Sequence, residues 1–295
     1  MNAFEYRAPR ALDEALTILR EFGEEARAVA GGTALVTMMR QRLVRPACLV
    51  SLRDVPGLGR IEATNGVIRL GALVTHREVE VSPPLGERLP VLAETFRRVA
   101  TPRIRNMATV GGALAHADPN QDPPVTLLAL GARVQIRRAG ANRELPVEGF
   151  FRDYYETALE PGELVVGVTV PLLPTAAGAG FVKFLPRSAD DYATVAAAAV
   201  VVLDADGERC REARIALGSV ATTPLRARGA EAVLAGERLE ERVLRAAGEA
   251  ARGEVDPLTD HRGSAAYKRE MTAVMVGRVL TQAWEAARRA ERAAR

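Results

Sequence analysis

The segment Ala30-Gly31-Gly32-Thr33-Ala34-Leu35 constrains this chain most, because it joins two apolar runs through adjacent residues that lack Cβ atoms. Residues 26–30 read as a short strand and residues 34–42 as a helix. Paired glycines permit positive φ, so consecutive N–H groups can turn inward as an anion-binding nest. The following helix adds the positive end of its dipole, and Thr33 supplies a hydroxyl. That combination suits a pyrophosphate. An ordinary strand-to-helix turn is the competing reading of the same residues.

A second glycine pair occurs in Thr109-Val110-Gly111-Gly112-Ala113-Leu114, followed by Ala117-Asp118-Pro119 and Asp122-Pro123-Pro124. It offers another set of backbone donors, and Asp122 could accept a hydrogen bond from a ribose or ribityl hydroxyl. Alternatively, Asp118 and Asp122 cap a helix starting near Val125. Neither motif is the G-x-G-x-x-G dinucleotide fingerprint. Two separate Gly–Gly loops, each beside a threonine, suit a dinucleotide gripped from two sides.

The remaining pattern is α+β. Helices are expected at residues 10–22, 89–100, from 125, and at 227–234, 239–252 and 264–294. In the last of these, Tyr267, Met271, Val274 and Met275 form a core-facing stripe. Strands are expected at 48–52, 134–137, 163–171, 182–184, 194–203 and 214–217, with Asn65-Gly66 turning a hairpin between Ile61 and residues 67–70. Residues 106–124 read as a long stretch marked by Gly and Pro, and 174–180 as a small-residue linker at a domain boundary. The expected units are residues 1–175, divided near 58, then 180–285, then a helical tail at 286–295.

At 295 residues, with 48% hydrophobic and 26% charged residues, the chain is neither disordered nor membrane-embedded. It has no apolar run of the roughly 18 to 20 residues needed to span a bilayer. The N-terminal stretch lacks a signal-peptide core, so a cytoplasmic location is expected. The net charge is only +3, with arginines dispersed and Lys confined to Lys183 and Lys268, which argues against nucleic-acid binding. Two cysteines, Cys48 and Cys210, and three histidines, His76, His116 and His261, show no ligand spacing. A cluster or structural zinc takes four ligands, so metal centres are expected on other chains.

The two motifs, read as AGGTAL and ATVGGALAHADPNQDPP, resemble the FAD signatures of the flavoprotein subunits of molybdenum hydroxylases, the xanthine and carbon monoxide dehydrogenase type. VSLRDVPGLGRIEATNGVIRLGALVTHREVE, ELVVGVTVP, FVKFLPRSADDYATVAAAAVVVLD and DHRGSAAYKREMTAVMVGRVL resemble further segments of that family in the same order. The resemblance implies the vanillyl-alcohol-oxidase/p-cresol-methylhydroxylase type of FAD-binding domain, in two subdomains, followed by a smaller α+β domain. It implies that Ala30, Gly31, Gly32, Thr33, Ala34 and Leu35, with Thr109, Val110, Gly111, Gly112 and Ala113, wrap the FAD pyrophosphate and ribityl chain. Thr101 would line the cofactor, Asp122 would hold its adenosine or ribityl side, and Leu164 and Val165 would meet the isoalloxazine. Lys183 and Tyr192 would approach the ring from the C-terminal domain.

The family's Asn after the second Gly–Gly is Ala113 here, and Ala34 replaces a polar residue common after AGGT. The implied function is electron transfer, from a partner iron–sulfur subunit with 2Fe–2S clusters and a molybdopterin-containing subunit to NAD, oxygen or a quinone. No catalytic side chain and no metal ligand is expected on this chain. A self-sufficient flavin oxidase or reductase of the same fold, and a cofactor-free scaffold, are the alternatives.

Overall fold

The computed structural model describes residues 3–64, 66–205 and 207–294. Strands β1 (Glu5–Arg7), β2 (Ala26–Val29) and β3 (Cys48–Ser51) form a parallel sheet in the order β1-β3-β2. Parallel neighbours need crossovers, which α1 (Leu12–Phe22) and α2 (Leu35–Arg40) provide. Helix α1 buries Ala15, Leu16 and Leu19, the face its spacing predicts.

Next come the hairpin strands β4 (Ile61–Ala63) and β5 (Val67–Gly71). Gly66 in their turn has φ 91°, while Asn65 lies outside the described residues. A run of short helices follows: α3 (His76–Val81), α4 (Pro83–Arg88), α5 (Pro90–Arg97), α6 (Pro102–Arg105), α7 (Val110–His116) and α8 (Asp122–Ala129). Strands β6 (Arg133–Arg138) and β7 (Ala141–Pro146), the small pair β8 (Phe151–Asp153) and β9 (Glu156–Thr157), and β10 (Leu164–Pro171) complete this part. β10 enters the middle of a five-stranded antiparallel sheet, β4-β5-β10-β6-β7.

Within residues 106–124, read as a long stretch marked by Gly and Pro, residues 110–116 and 122–124 are helical. Thr109 caps α7 by accepting the Gly112 N–H at 3.1 Å. Gly111 is tolerated there because a Cβ would come within 2.6 Å of the Ala72 Cβ, so contact outweighs poor helix propensity. Helix α8 begins at Asp122 rather than near Val125, and neither aspartate caps it. Its N-cap is Gln121 without a side-chain bond, and Asp118 Oδ1 instead accepts from Asn120 N at 2.9 Å and Nδ2 at 3.0 Å.

The last unit is a four-stranded sheet, β11 (Ala177–Phe184), β12 (Val195–Leu203), β13 (Cys210–Gly218) and β14 (Leu225–Arg226), with helices α9 (Arg228–Leu234), α10 (Glu241–Glu254) and α11 (Ala265–Ala294). β12 is buried along its whole length. Ala196, Ala198, Val200 and Val202 join the core beneath α5 and α8, while Val195, Ala197, Ala199, Val201 and Leu203 join the core beneath α10 and α11.

Two sequence expectations need correction. The tract 174–180 is not wholly a linker, because β11 begins at Ala177. Its glycines serve helix packing: a Cβ on Gly178 would lie 2.1 Å from the Ala287 backbone nitrogen on α11. The expected stripe on α11 is also rotated, since Tyr267 and Val274 are exposed while Lys268, Thr272, Met275, Val276, Val279 and Leu280 are buried. Period-3.6 spacing defines a face but not which face meets the sheet. Gly178→Val is expected to lower stability by about 3 kcal/mol, the upper end for overpacking a core, as read by urea unfolding.

Candidate cofactor site

A cavity of about 1020 Å³ is walled by the β2–α2 loop, α7, β10 and β11. Fifteen of the seventeen residues expected at the cofactor line it: Ala30, Gly31, Gly32, Thr33, Ala34, Leu35, Thr109, Gly111, Gly112, Ala113, Asp122, Leu164, Val165, Lys183 and Tyr192. Thr101 and Val110 lie off its wall. Thr101 caps α6 by accepting the Ile104 N–H, and Val110 is packed in the core.

The first glycine loop takes the left-handed backbone that its paired glycines permit. Gly32 has φ +69°, in the left-handed region, and Gly31 presses against the segment preceding the second motif. A Cβ on Gly31 would lie 1.7 Å from the Met107 carbonyl oxygen, so no side chain fits. Among the described residues, no acceptor within the chain meets the N–H groups of Gly32, Thr33 and Ala34. Donor capacity toward the cavity therefore rests on the loop, since α2 itself has only six residues.

The second motif behaves differently from expectation. Its amides are already used: Val110 N donates to Val74 O, Gly111 N to Ala72 O, Gly112 N to Thr109 Oγ1 and Ala113 N to Thr109 O. It contributes a close backbone surface rather than a second nest, because the Thr109 cap and the carbonyls of Ala72 and Val74, just after β5, consume the donors. The Thr109 hydroxyl accepts through its oxygen and keeps its own proton to donate.

Lys183 and Asp122, expected to approach a ligand separately, meet each other. Lys183 Nζ lies 2.7 Å from Asp122 Oδ2 and 3.1 Å from the Arg98 carbonyl oxygen, with both side chains almost fully buried. Lys183 is thus a buried, paired cation on β11. Burial pushes the Asp122 carboxyl up to about 6, with Lys183 and then Arg98 pulling the other way. Asp122 Oδ1 is buried and has no hydrogen-bond partner among the described residues, which leaves one acceptor of a cavity-lining residue unsatisfied.

The structure adds residues that periodicity did not single out for the site. His76 starts α3 behind a capping box in which Thr75 Oγ1 accepts the Glu78 N–H and Glu78 Oε2 accepts the Thr75 N–H. Its backbone N–H donates to Ala108 O at 2.9 Å, and its ring stands edge-on to Phe96 at 4.9 Å. Burial pushes the imidazole down to about 4; the Thr109 carbonyl favours the cation, although neither ring nitrogen reaches a hydrogen-bonding geometry. His116 and Tyr155 bring two rings together, 5.3 Å apart, and share the cavity lining with Tyr192, Asp190 and Asp191.

With this geometry in view, the comparisons decide the family. A family profile described as "FAD binding domain in molybdopterin dehydrogenase" matches residues 2–173, and one for the "CO dehydrogenase flavoprotein C-terminal domain" matches residues 180–283. This chain belongs to the FAD-binding flavoprotein family of the molybdopterin dehydrogenases. It is 37% identical over 286 residues to the 6-hydroxypseudooxynicotine dehydrogenase complex subunit alpha of Paenarthrobacter nicotinovorans, covering 97% of this chain and 96% of that one. It is 37% identical to the carbon monoxide dehydrogenase medium chain of Afipia carboxidovorans, covering 96% and 97%. A solved carbon monoxide dehydrogenase from Hydrogenophaga pseudoflava superposes with a TM-score of 0.93 at 36% identity, covering 96% of this chain and 98% of that chain. The cofactor of this flavoprotein is FAD.

Two outcomes follow for the buried ionisable groups. Lys183→Met strands the Asp122 carboxylate and is expected to cost about 3–5 kcal/mol in urea unfolding at neutral pH, with Lys183→Met/Asp122→Leu recovering most of the loss. For His76, the unfolded imidazole titrates near ~6.5 and the folded one at about 4. Between those values the unfolded state binds the extra proton, so stability falls as pH drops, by up to about 3 kcal/mol. His76→Phe is expected to remove nearly one proton from the pH 4–6.5 slope of unfolding free energy. The opposing titration of Asp122 is common to both proteins and cancels in that comparison.

Proposed function

We propose that this chain is the FAD-carrying electron-transfer subunit of a multi-subunit molybdenum hydroxylase. Partner iron–sulfur clusters deliver electrons taken from substrate at a molybdopterin-containing subunit, and a terminal acceptor (NAD, oxygen or a quinone) removes them. The observation that carries this reading is the single cavity in which both glycine loops converge, on a chain that spans its complex-subunit relatives almost end to end. When bound, FAD supplies the conversion between single-electron and paired-electron transfer.

The residues present fit that cofactor. The unmet N–H groups of Gly32, Thr33 and Ala34 and the Thr109 hydroxyl would hold the pyrophosphate, where Gly31 and Gly111 leave no room for side chains. The open oxygen of Asp122 would accept from a ribityl or ribose hydroxyl. Leu164 and Val165, both buried, give an apolar wall against a planar ring, and Tyr192 closes over it from the C-terminal domain. Ala34 and Ala113 offer only methyl groups, so affinity rests on backbone donors. Among the described residues no helix is long and apolar enough to cross a membrane.

The test is the visible spectrum of the purified chain before and after acid release, with metal analysis of material copurified from the native host. Stoichiometric FAD, with iron and molybdenum in the copurified complex, is expected. Gly31→Val is expected to give colourless protein, because the nest and the Met107 segment cannot both keep their places. A wild-type chain that is colourless and takes up no added FAD would favour the scaffold reading, and one that turns over substrate alone would favour the oxidase.

A further inference from the structure

Tyr192 stands on the 185–194 connection between β11 and β12, is 41% exposed, and lines the cavity. A side chain on a loop keeps its rotamer freedom unless neighbouring groups hold it. The Arg262 guanidinium lies over the Tyr192 ring, 5.4 Å from its centroid, and occupies one face. Against the phenol stands Asp118, from the segment after the second glycine motif; burial first, and then this carboxylate, pushes the Tyr192 hydroxyl above its usual range. The backbone N–H of Tyr192 donates to Asp191 Oδ1 at 2.7 Å.

Arg262 is itself held. Its side chain is only 12% exposed, with Asp191 at 3.5 Å and Asp260 at 3.7 Å, and its carbonyl accepts from Thr194 Oγ1 at 3.4 Å. Asp260 accepts from the Arg262 N–H at 2.8 Å and pairs at 2.9 Å with Lys268, a lysine buried on α11 that also donates to the Leu258 carbonyl. Two cations, Arg262 and Lys268, face two anions, Asp191 and Asp260, so the cluster adds no net charge beside the cavity. Its effect is geometric: a chain of contacts runs from α11 through Asp260 and Arg262 to Tyr192, and across to Asp118 on the first domain.

We infer that Arg262 is a positioning residue that fixes Tyr192 by stacking on one face, leaving the other face for the planar ring of the bound cofactor. Arg suits this because a flat guanidinium stacks on an aromatic face while its edge remains for carboxylates. The inference rests on the reading that this cavity holds FAD.

The experiment uses the FAD-loaded chain and reads the FAD dissociation constant, quenching of flavin fluorescence by iodide, and the melting temperature. Arg262→Leu is expected to raise the dissociation constant about threefold to tenfold, the range a cation–π contact supports, and to increase iodide quenching. Arg262→Lys, which keeps the cation, is expected to recover part of both changes. Tyr192→Leu should reproduce them, and Arg262→Leu/Tyr192→Leu should be no worse than Tyr192→Leu alone, because Arg262 acts through the ring. If Arg262→Leu does not fold, Asp260→Asn tests the same chain, loosening the guanidinium without removing it, with smaller changes in the same direction. Fully additive effects in the double variant, or a lowered melting temperature with unchanged affinity and quenching, would overturn the role of Arg262. Wild-type protein that binds no FAD would instead overturn the reading of the cavity.

Discussion

Burial of β12 on both faces is the constraint on which the rest of this structure depends. Its run of Ala and Val, residues 195–203, places alternate side chains in two different cores. One core belongs to the helices of the FAD-binding part, the other to α10 and α11. A strand buried on both sides cannot leave either partner without exposing a full apolar face, so the C-terminal sheet is anchored against the first domain. The alanines keep that strand thin enough for helices to approach, as the glycines of β11 do for α11.

The site inherits its geometry from that arrangement. β11 pairs with β12 in register, Phe181 opposite Ala198 and Lys183 opposite Ala196, so Phe181 and Lys183 point to the same side. This brings Lys183 to Asp122 at the start of α8 and makes a neutral pair in the cavity wall. A lone buried ammonium would be costly; paired, it leaves one buried carboxylate oxygen unpartnered and ties the two domains together. The glycine loops complete the wall from the other side. Gly31 and the Met107 carbonyl are in such close contact that the nest and the second motif are effectively one surface.

The division of labour between the loops matters for affinity. Among the described residues the first loop keeps unmet amides, while the second has used its own on the Ala72 and Val74 carbonyls and on the Thr109 cap. With Ala34 and Ala113 in place of polar side chains, the cavity is bounded here by backbone and methyl groups, with Thr109 and Tyr192 also on its wall. Backbone donors cost no side-chain ordering, so a small number of polar groups suffices.

By itself, the sequence determined the α+β class, most elements, and fifteen of the residues that line the cavity. Amphipathic spacing in α1, the apolar run of β12 and the paired glycines are local signals, each carried by a few adjacent residues. Even so, Thr109 in the role of a cap, the helical state of residues 110–116 and the strand at Ala177 were hidden, because contacts with Ala72 and α11 override weak local propensity. Tertiary structure alone decided that Lys183 neutralises Asp122, that Val110 turns into the core, that Lys268 is buried on α11, that His76 lines the cavity and that Arg262 lies over Tyr192. These partners are separated by tens of residues, and their meeting depends on strand register and helix rotation, which composition and periodicity leave open.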